Sequence, residues 1–368
     1  MSTFESIHIQ GFRRLVDVKL GIRPLTVMIG ANGCGKTSVL EAMQLLAKSA
    51  QGKLGDTISS LGGLSEIATR TREPSKEPRR LSLKVHLYET LEPDEAHKDF
   101  ENCDYLLELA TNQFGFQIAR EYLGSKLTDF FEGEFHVELD SQETLLSQMR
   151  TTTKGRFLRE TLASMFFARP FDLAHVRQPQ SVRPATLPGE KGETLISCLY
   201  ALRETDRDRF EVVEDTLRAA FPDFERLEFP SVAAGMLILG WKDRQFSQSI
   251  YMNQLSEGSL RFLWLTALLL SRDLPAVTLI DEPEVSLHPQ LLMLLVGMMR
   301  EASKRTQIIV ATQSESLVRF LNPEEILIAD LEEGATKFTW GDDLDVGHWL
   351  EDYSLNELWT MGVLGGRL

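Results

Sequence analysis

Residues 30–37 read G-A-N-G-C-G-K-T, a pattern whose residue types suit one task, holding phosphate groups. Gly30, Gly33 and Gly35 permit backbone angles that turn successive amides inward, and a helix opening behind them would present its positive end to an anion. Lys36 would reach the β- and γ-phosphates of a nucleotide, and the hydroxyl of Thr37 would ligate Mg²⁺. Gly30, Asn32, Gly33, Cys34, Gly35, Lys36, Thr37 and Ser38 are therefore the expected nucleotide-binding residues.

A second constellation, T-L-I-D-E-P, ends the apolar run 277–280 with two adjacent carboxylates. Val277 to Ile280 is β-prone, so Asp281 sits where a parallel strand would end, and ligand sites of such sheets lie at that carboxyl end. Asp281 suits a hard metal ion, directly or through water. Glu282 is placed to act as general base toward a water. A third segment, L-S-E-G-S at 255–259, puts Ser256, Gly258 and Ser259 at a helix start, where a hydroxyl and free amides make an anion site. Only 25 positions separate Ser256 from Asp281, room for one helix and one loop.

These groups need a scaffold, and the hydrophobic pattern supplies it. Residues 4–10 and 15–20 alternate apolar and polar, predicting a hairpin through Gly11 to Arg14. The unbroken apolar run 25–29 predicts a strand buried on both faces, followed by a helix over 36–48. Residues 62–63 and 69–80 are expected to be exposed loops, with strands at 81–88, 105–110, 116–122 and 134–139 forming a mostly antiparallel sheet. Helices are expected over 157–168, 193–202 and 210–221, the last stopped by Pro222. Strands at 224–229, 236–241 and 246–251 precede the third segment. A strand at 277–280, a helix from Pro289 and a buried strand at 307–311 complete the pattern. The expected division is 1–140, an N-terminal lobe with phosphate loop and β sheet; 141–228, a helical insertion; and 229–368, a C-terminal lobe.

The chain has 368 residues, 43% of them hydrophobic and 25% charged, an ordinary soluble composition large enough for one α/β unit with insertions. The start lacks the basic-then-apolar pattern of a signal peptide, and the apolar stretches 262–270 and 291–299 are too short to span a bilayer. Three cysteines form no framework and lack metal-ligand spacing, which fits a reducing, cytoplasmic setting. A net charge of −15 argues against a surface coated for nucleic acid. Residues 150–183 nonetheless carry seven Lys/Arg against Glu160 and Asp172, a face open to DNA or RNA, to solvent, or to another subunit. Asp342, Asp343 and Asp345 could imitate metal ligands but read better as an exposed turn.

With these motifs in place, the chain resembles the RecF/SMC-like branch of ABC-class ATPases, in particular small stand-alone prokaryotic forms without long arms. F-R-R-L-V-D-V, G-A-N-G-C-G-K-T, L-S-E-G-S-L-R-F, L-I-D-E-P-E-V-S-L-H-P, I-I-V-A-T-Q-S and S-L-N-E-L-W-T-M-G-V-L-G-G carry the resemblance. It is similar to the ATPase part of overcoming-lysogenization-type nucleases. The resemblance implies an α/β P-loop NTPase fold, with a mixed central sheet flanked by helices, an antiparallel β lobe and a helical insertion. It implies ATP and Mg²⁺ as ligands, and a homodimer or higher oligomer in which Ser256, Gly258 and Ser259 close in trans over a second copy's nucleotide, with residues 284–287 at the seam. The position often held by a γ-phosphate-sensing histidine is here Gln313, which hydrogen-bonds but carries no charge. The resulting expectation is a hydrolase using Lys36, Glu282 and Gln313, whose dimerisation gates a separately encoded effector, possibly a nuclease, in anti-phage defence. A RecF-like repair role with DNA contact and a non-hydrolysing ATP switch are the alternatives.

Overall fold

The computed structural model describes residues 2–70, 78–89, 103–113, 115–124, 134–135, 142–150, 153–344, 349 and 352–366. The strands β1 (Ser2–Phe12) and β2 (Leu15–Gly21) form a hairpin, and β3 (Leu25–Ile29) leads through the glycine loop into α1 (Lys36–Ala50). Short helices α2 (Leu54–Ser60) and α3 (Leu64–Ile67) precede β4 (Arg80–Glu89), β5 (Cys103–Asn112), β6 (Gly115–Gly124) and β7 (Glu134–Phe135). Then come α4 (Thr153–Ala163), β8 (Phe166–Ala168), α5 (Leu173–Val176), β9 (Gln180–Ser181), α6 (Leu195–Thr205) and α7 (Arg207–Ala220). Five short strands follow: β10 (Phe224–Glu228), β11 (Ser231–Ala233), β12 (Met236–Leu237), β13 (Gly240–Asp243) and β14 (Ile250–Tyr251). The last part holds α8 (Glu257–Leu269), β15 (Val277–Asp281), α9 (Pro289–Ser303), β16 (Gln307–Ala311), α10 (Glu315–Val318), β17 (Ile326–Glu332), β18 (Ala335–Trp340) and α11 (Leu355–Thr360).

The central sheet has the order β18-β17-β3-β16-β15-β8; its strands run parallel except for β18 at one edge. Its inner strands β3, β16 and β15 are largely apolar and buried on both faces because both faces are covered. Val27, Ile280 and Val310 face a core shared with α8 and α9, whereas Met28, Leu279 and Ile309 face a second core shared with α1 and the antiparallel sheet. That second sheet runs β2-β1-β4-β5-β6-β7. The side chain of Gln307 joins the two sheets: it accepts from Phe4 N at 2.7 Å and donates to Phe4 O at 2.8 Å.

The mixed central sheet with helices on both sides and an antiparallel lobe agrees with the expected fold class. Strands β3 and β16 match their predicted bounds, and α9 opens at Pro289 as expected. Several elements differ. The helix expected over 157–168 stops at Ala163, and Phe166–Ala168 instead forms β8, paired in parallel with Thr278 to Ile280. A short aromatic run reads the same in a buried helix or a buried strand, and only the neighbouring strand decides. The strand expected over 236–241 is two strands in separate sheets, β12 with β11 and β9, and β13 with β10 and β14. Of 246–251 only Ile250–Tyr251 is extended, because Lys242 Nζ gathers the carbonyls of Phe246 (2.7 Å) and Ser247 (2.8 Å) into a turn. Residues 71–77 of the expected loop and 136–139 of the expected strand lie outside the described residues.

Cys34, Cys103 and Cys198 are free and buried. Among the described residues no helix is long and apolar enough to cross a membrane.

Candidate functional site

The parallel strands deliver two loops to one end of the sheet. Gly35 caps α1 with φ 105° and has no side chain to bond the helix's first amides, which suits a helix start that takes an anion. Lys36 is buried beneath the loop, its ammonium donating to Gly30 O at 2.6 Å and Ala31 O at 2.9 Å, with Cys34 Sγ at 3.7 Å. Gly30 and Cys34 thus back the lysine rather than line the cleft.

From the second strand over, Asp281 meets the loop: Thr37 Oγ1 donates to Asp281 Oδ1 at 3.4 Å. Burial, with the neighbouring Glu282 charge second, pushes the Asp281 carboxyl up to about 6. A largely desolvated carboxyl beside a hydroxyl is a hard-oxygen pair that fits Mg²⁺, and Thr37 and Asp281 are the residues that could hold it. Glu282 has φ 46°, the left-handed region, which costs a non-glycine residue roughly 1–3 kcal/mol. Three anchors hold it there. Its amide donates to Ala311 O at 2.8 Å, its carbonyl accepts from Arg261 Nη2 at 2.8 Å, and its Oε1 accepts from Gln313 Nε2 at 2.6 Å.

Asn32, Gly33, Gly35, Lys36, Thr37, Ser38, Asp281 and Glu282 line one open cleft of ≈ 280 Å³. Gln313 reaches it through Glu282. Arg13 and Arg14 at the β1–β2 turn also line it, and Arg13 pairs with Glu41 on α1 at 3.0 Å. Sequence reasoning missed both; the signal was two adjacent cations at a hairpin tip, whose direction depends on how the two sheets pack.

Ser256, Gly258 and Ser259 lie outside this cleft. Ser256 caps α8, its Oγ accepting from Ser259 N at 3.0 Å. Two contacts tie this helix start to the loop after Glu282. Ser286 Oγ donates to Glu257 Oε1 at 2.8 Å, and a Cβ on Gly258 would fall 2.3 Å from Ser286 O, so only glycine fits. Arg177 Nη2 donates to Leu255 O at 2.8 Å, a positioning contact the sequence did not disclose. Glu284, expected at a subunit seam, turns inward and accepts from Thr312 Oγ1 at 2.6 Å; burial raises its carboxyl above the usual range.

Of the basic stretch 150–183, Arg169 lies 3.2 Å from Glu190 and Arg177 is engaged as above, while Arg150, Arg156 and Arg183 are exposed. Asp342 pairs with Arg23 at 2.9 Å, and Asp345 lies outside the described residues. Among the described residues no three His, Cys, Asp or Glu side chains form a metal cluster.

Residues 25–319 match the family described as "AAA domain, putative AbiEii toxin, Type IV TA system". The chain belongs to this family. The match of this AAA-domain chain opens at the first residue of β3 and closes just past α10, so it takes in the phosphate loop, α8, the carboxylate strand and Gln313. Among solved structures it is similar to an SmcHead bound to the C-winged helix domain of ScpA, with TM-score 0.57 and 15% identity over 92% of this chain and 97% of that one. It is also similar to the Smc head domain with an extended coiled coil bound to the C-terminal domain of ScpA from Pyrococcus furiosus, with TM-score 0.56 and 12% identity over 98% of each chain. No curated protein matches it. The AAA-domain chain shares its fold with these Smc head domains.

Proposed function

We propose that this AAA-domain protein is a magnesium-dependent ATP hydrolase whose ATP-driven pairing of two copies gates a separately encoded partner protein. The observation that carries the reading is the 3.4 Å approach of Thr37 to Asp281, with Glu282 beside it and held by Gln313. Asn32, Gly33, Gly35, Lys36, Thr37 and Ser38 would grip the triphosphate, with Gly30 and Cys34 behind Lys36. Bound Mg²⁺, held by Thr37 and Asp281, would neutralise charge on the phosphate oxygens. Glu282 would accept the proton of the attacking water, and Gln313 would orient that carboxylate.

The cleft is open on one side, which supports completion by a second copy. Ser256, Gly258 and Ser259, exposed or at a helix start outside the cleft, are the groups offered to that copy. The Smc heads of similar fold were solved with a bound ScpA domain, which supports a protein as the gated partner. The family's description names a putative toxin of a Type IV TA system, and the setting proposed for this chain is anti-phage defence. Phosphate release by the wild type against Glu282→Gln tests the hydrolase, and size-exclusion chromatography of Glu282→Gln in ATP tests the pairing. A wild type that releases no phosphate sinks the first, and a monomer in ATP the second.

One specific feature favours a second reading, a non-hydrolysing ATP switch: Gln313 is neutral and already occupies one oxygen of Glu282. Turnover no faster than in Glu282→Gln would select it. A repair role would instead show as DNA-damage sensitivity on gene deletion without a change in phage sensitivity.

A further inference from the structure

The loop at residues 189–193 touches three elements that the nucleotide site depends on. Trp264, buried two turns into α8, donates from Nε1 to Gly189 O at 3.0 Å. Arg169 N donates to Glu190 O at 2.8 Å, just past the end of β8. The Glu190 carboxylate then lies 3.2 Å from Arg169 Nε through one oxygen and 3.7 Å from Lys48 Nζ, in the last turn of α1, through the other. Phe171 closes the corner, its ring 5.3 Å from that of Trp264. The loop follows this path because Gly189 and Gly192 take φ 85° and 89°; a Cβ on Gly192 would meet the Phe171 ring at 2.6 Å.

Register puts Arg169 in a consequential place. Phe166, Phe167 and Ala168 pair with Thr278, Leu279 and Ile280, so Arg169 is level with Asp281. Phe167 and Leu279 belong to the core on the α1 side, and strand alternation returns Arg169 and Asp281 to that side two residues later. The Glu41 carboxyl on α1 is held above its ordinary range, chiefly by burial; the charge of Arg13 opposes this, that of Asp281 adds to it, and that of Arg169 opposes it more weakly. Arg169 therefore sits between the carboxylate strand and the phosphate-loop helix without lining the cleft.

We propose that Arg169 is a positioning residue of the nucleotide site. Through Glu190 and Gly189 it registers α8, whose first residues would meet a second copy's nucleotide, against the α1 and β15 of its own subunit. This rests on the composite-site reading above. A displacement at Ser256 is carried along α8 to Trp264, across the loop to Arg169, and so to the helix and strand that carry Thr37 and Asp281.

The test uses the full chain with Mg-ATP and compares wild type, Arg169→Gln, Arg169→Lys, Glu190→Gln and the Arg169→Gln/Glu190→Gln double variant. Arg169→Gln should lower kcat by ~10- to 100-fold, the scale of a misregistered site, while affinity for a fluorescent ATP analogue stays within about twofold. Arg169→Lys should recover most of the rate, and the double variant should lose no more than either single one, because both break one link. Unchanged kcat, or a loss shared equally by affinity and thermal stability, overturns the proposal. Amide exchange in the nucleotide-free protein separates it from the hydrolase reading. Arg169→Gln should speed exchange in residues 189–193 and in the first turns of α8 whether or not the wild type turns over, and exchange equal to wild type in both places refutes the link. A wild type without turnover that keeps this exchange response refutes only hydrolysis.

Discussion

Gln313 donates to the carboxylate of Glu282 at 2.6 Å, so a residue just past β16 steers the acid just past β15. The two strands are hydrogen-bonded neighbours, and Asp281 is in register with Ala311. The contact is therefore built into the sheet rather than into a loose loop.

Glu282→Gln should lower phosphate release by ~10²- to 10⁴-fold if Glu282 is the base. Gln313→Ala should cost about tenfold, by freeing the carboxylate to wander. Gln313→His adds a titratable group and should introduce a new inflection near pH 6.5 in the rate profile. Steady-state phosphate release across pH 5 to 9 reads all three, and an unaltered profile in Gln313→His would place residue 313 outside the reacting centre.

Lys36→Ala removes an ammonium that engages two loop carbonyls and would engage the phosphates. ATP affinity should fall about 100-fold, the size of a lost charge-assisted contact. Equilibrium titration with a fluorescent ATP analogue measures it, and normal affinity would dismiss the loop assignment.

Asp281 supplies a pH signature. Its carboxyl is raised to about 6 by burial and by Glu282, so Mg²⁺ affinity should drop about tenfold per unit below that pH, as protons compete for the ligand. The stability effect has the opposite sense. A raised folded value means the native state binds the extra proton, so this group's stabilisation is present below about 3.8 and is lost as pH rises through about 6. Asp281→Asn should stabilise the nucleotide-free protein above pH 6, by about 1 kcal/mol after screening at a part-exposed site, with the gain shrinking toward pH 4. Thermal melts at pH 4, 6 and 8 decide; an equal gain at all three contradicts the assignment.

Gly258→Ala would set a methyl 2.3 Å from Ser286 O, which neither backbone can absorb without moving. A loss of about 1–3 kcal/mol is expected, with the Ser286–Glu257 contact broken. Because that contact leads to the loop after Glu282, turnover should fall even where the fold survives. A melt and a turnover measurement at wild-type values would show that this approach is dispensable.

Arg150, Arg156 and Arg183 are the exposed cations of the basic stretch. If they form a DNA face, duplex DNA should raise turnover, added salt should abolish the effect, and the triple glutamine variant should not respond. A response to DNA that the triple variant retains would move the contact elsewhere.

The segments that build the candidate site were legible locally. A glycine loop needs its residues at fixed spacing, a parallel strand buried on both faces must be continuously apolar, and a proline-started helix announces its first turn; hence β3, α1, β15, α9 and β16 could be placed from residue order. What required the fold were relationships between segments distant in the chain. Whether residues 166–168 form helix or strand depends on Thr278 to Ile280, more than a hundred positions later. That choice puts Arg169 level with Asp281 and gives Glu190, Lys48 and Trp264 a common centre. The inward turn of Glu284 and the arrival of Arg13 and Arg14 at the cleft have the same cause: a side chain's direction is set by packing between sheets and helices, and packing leaves no mark on local periodicity.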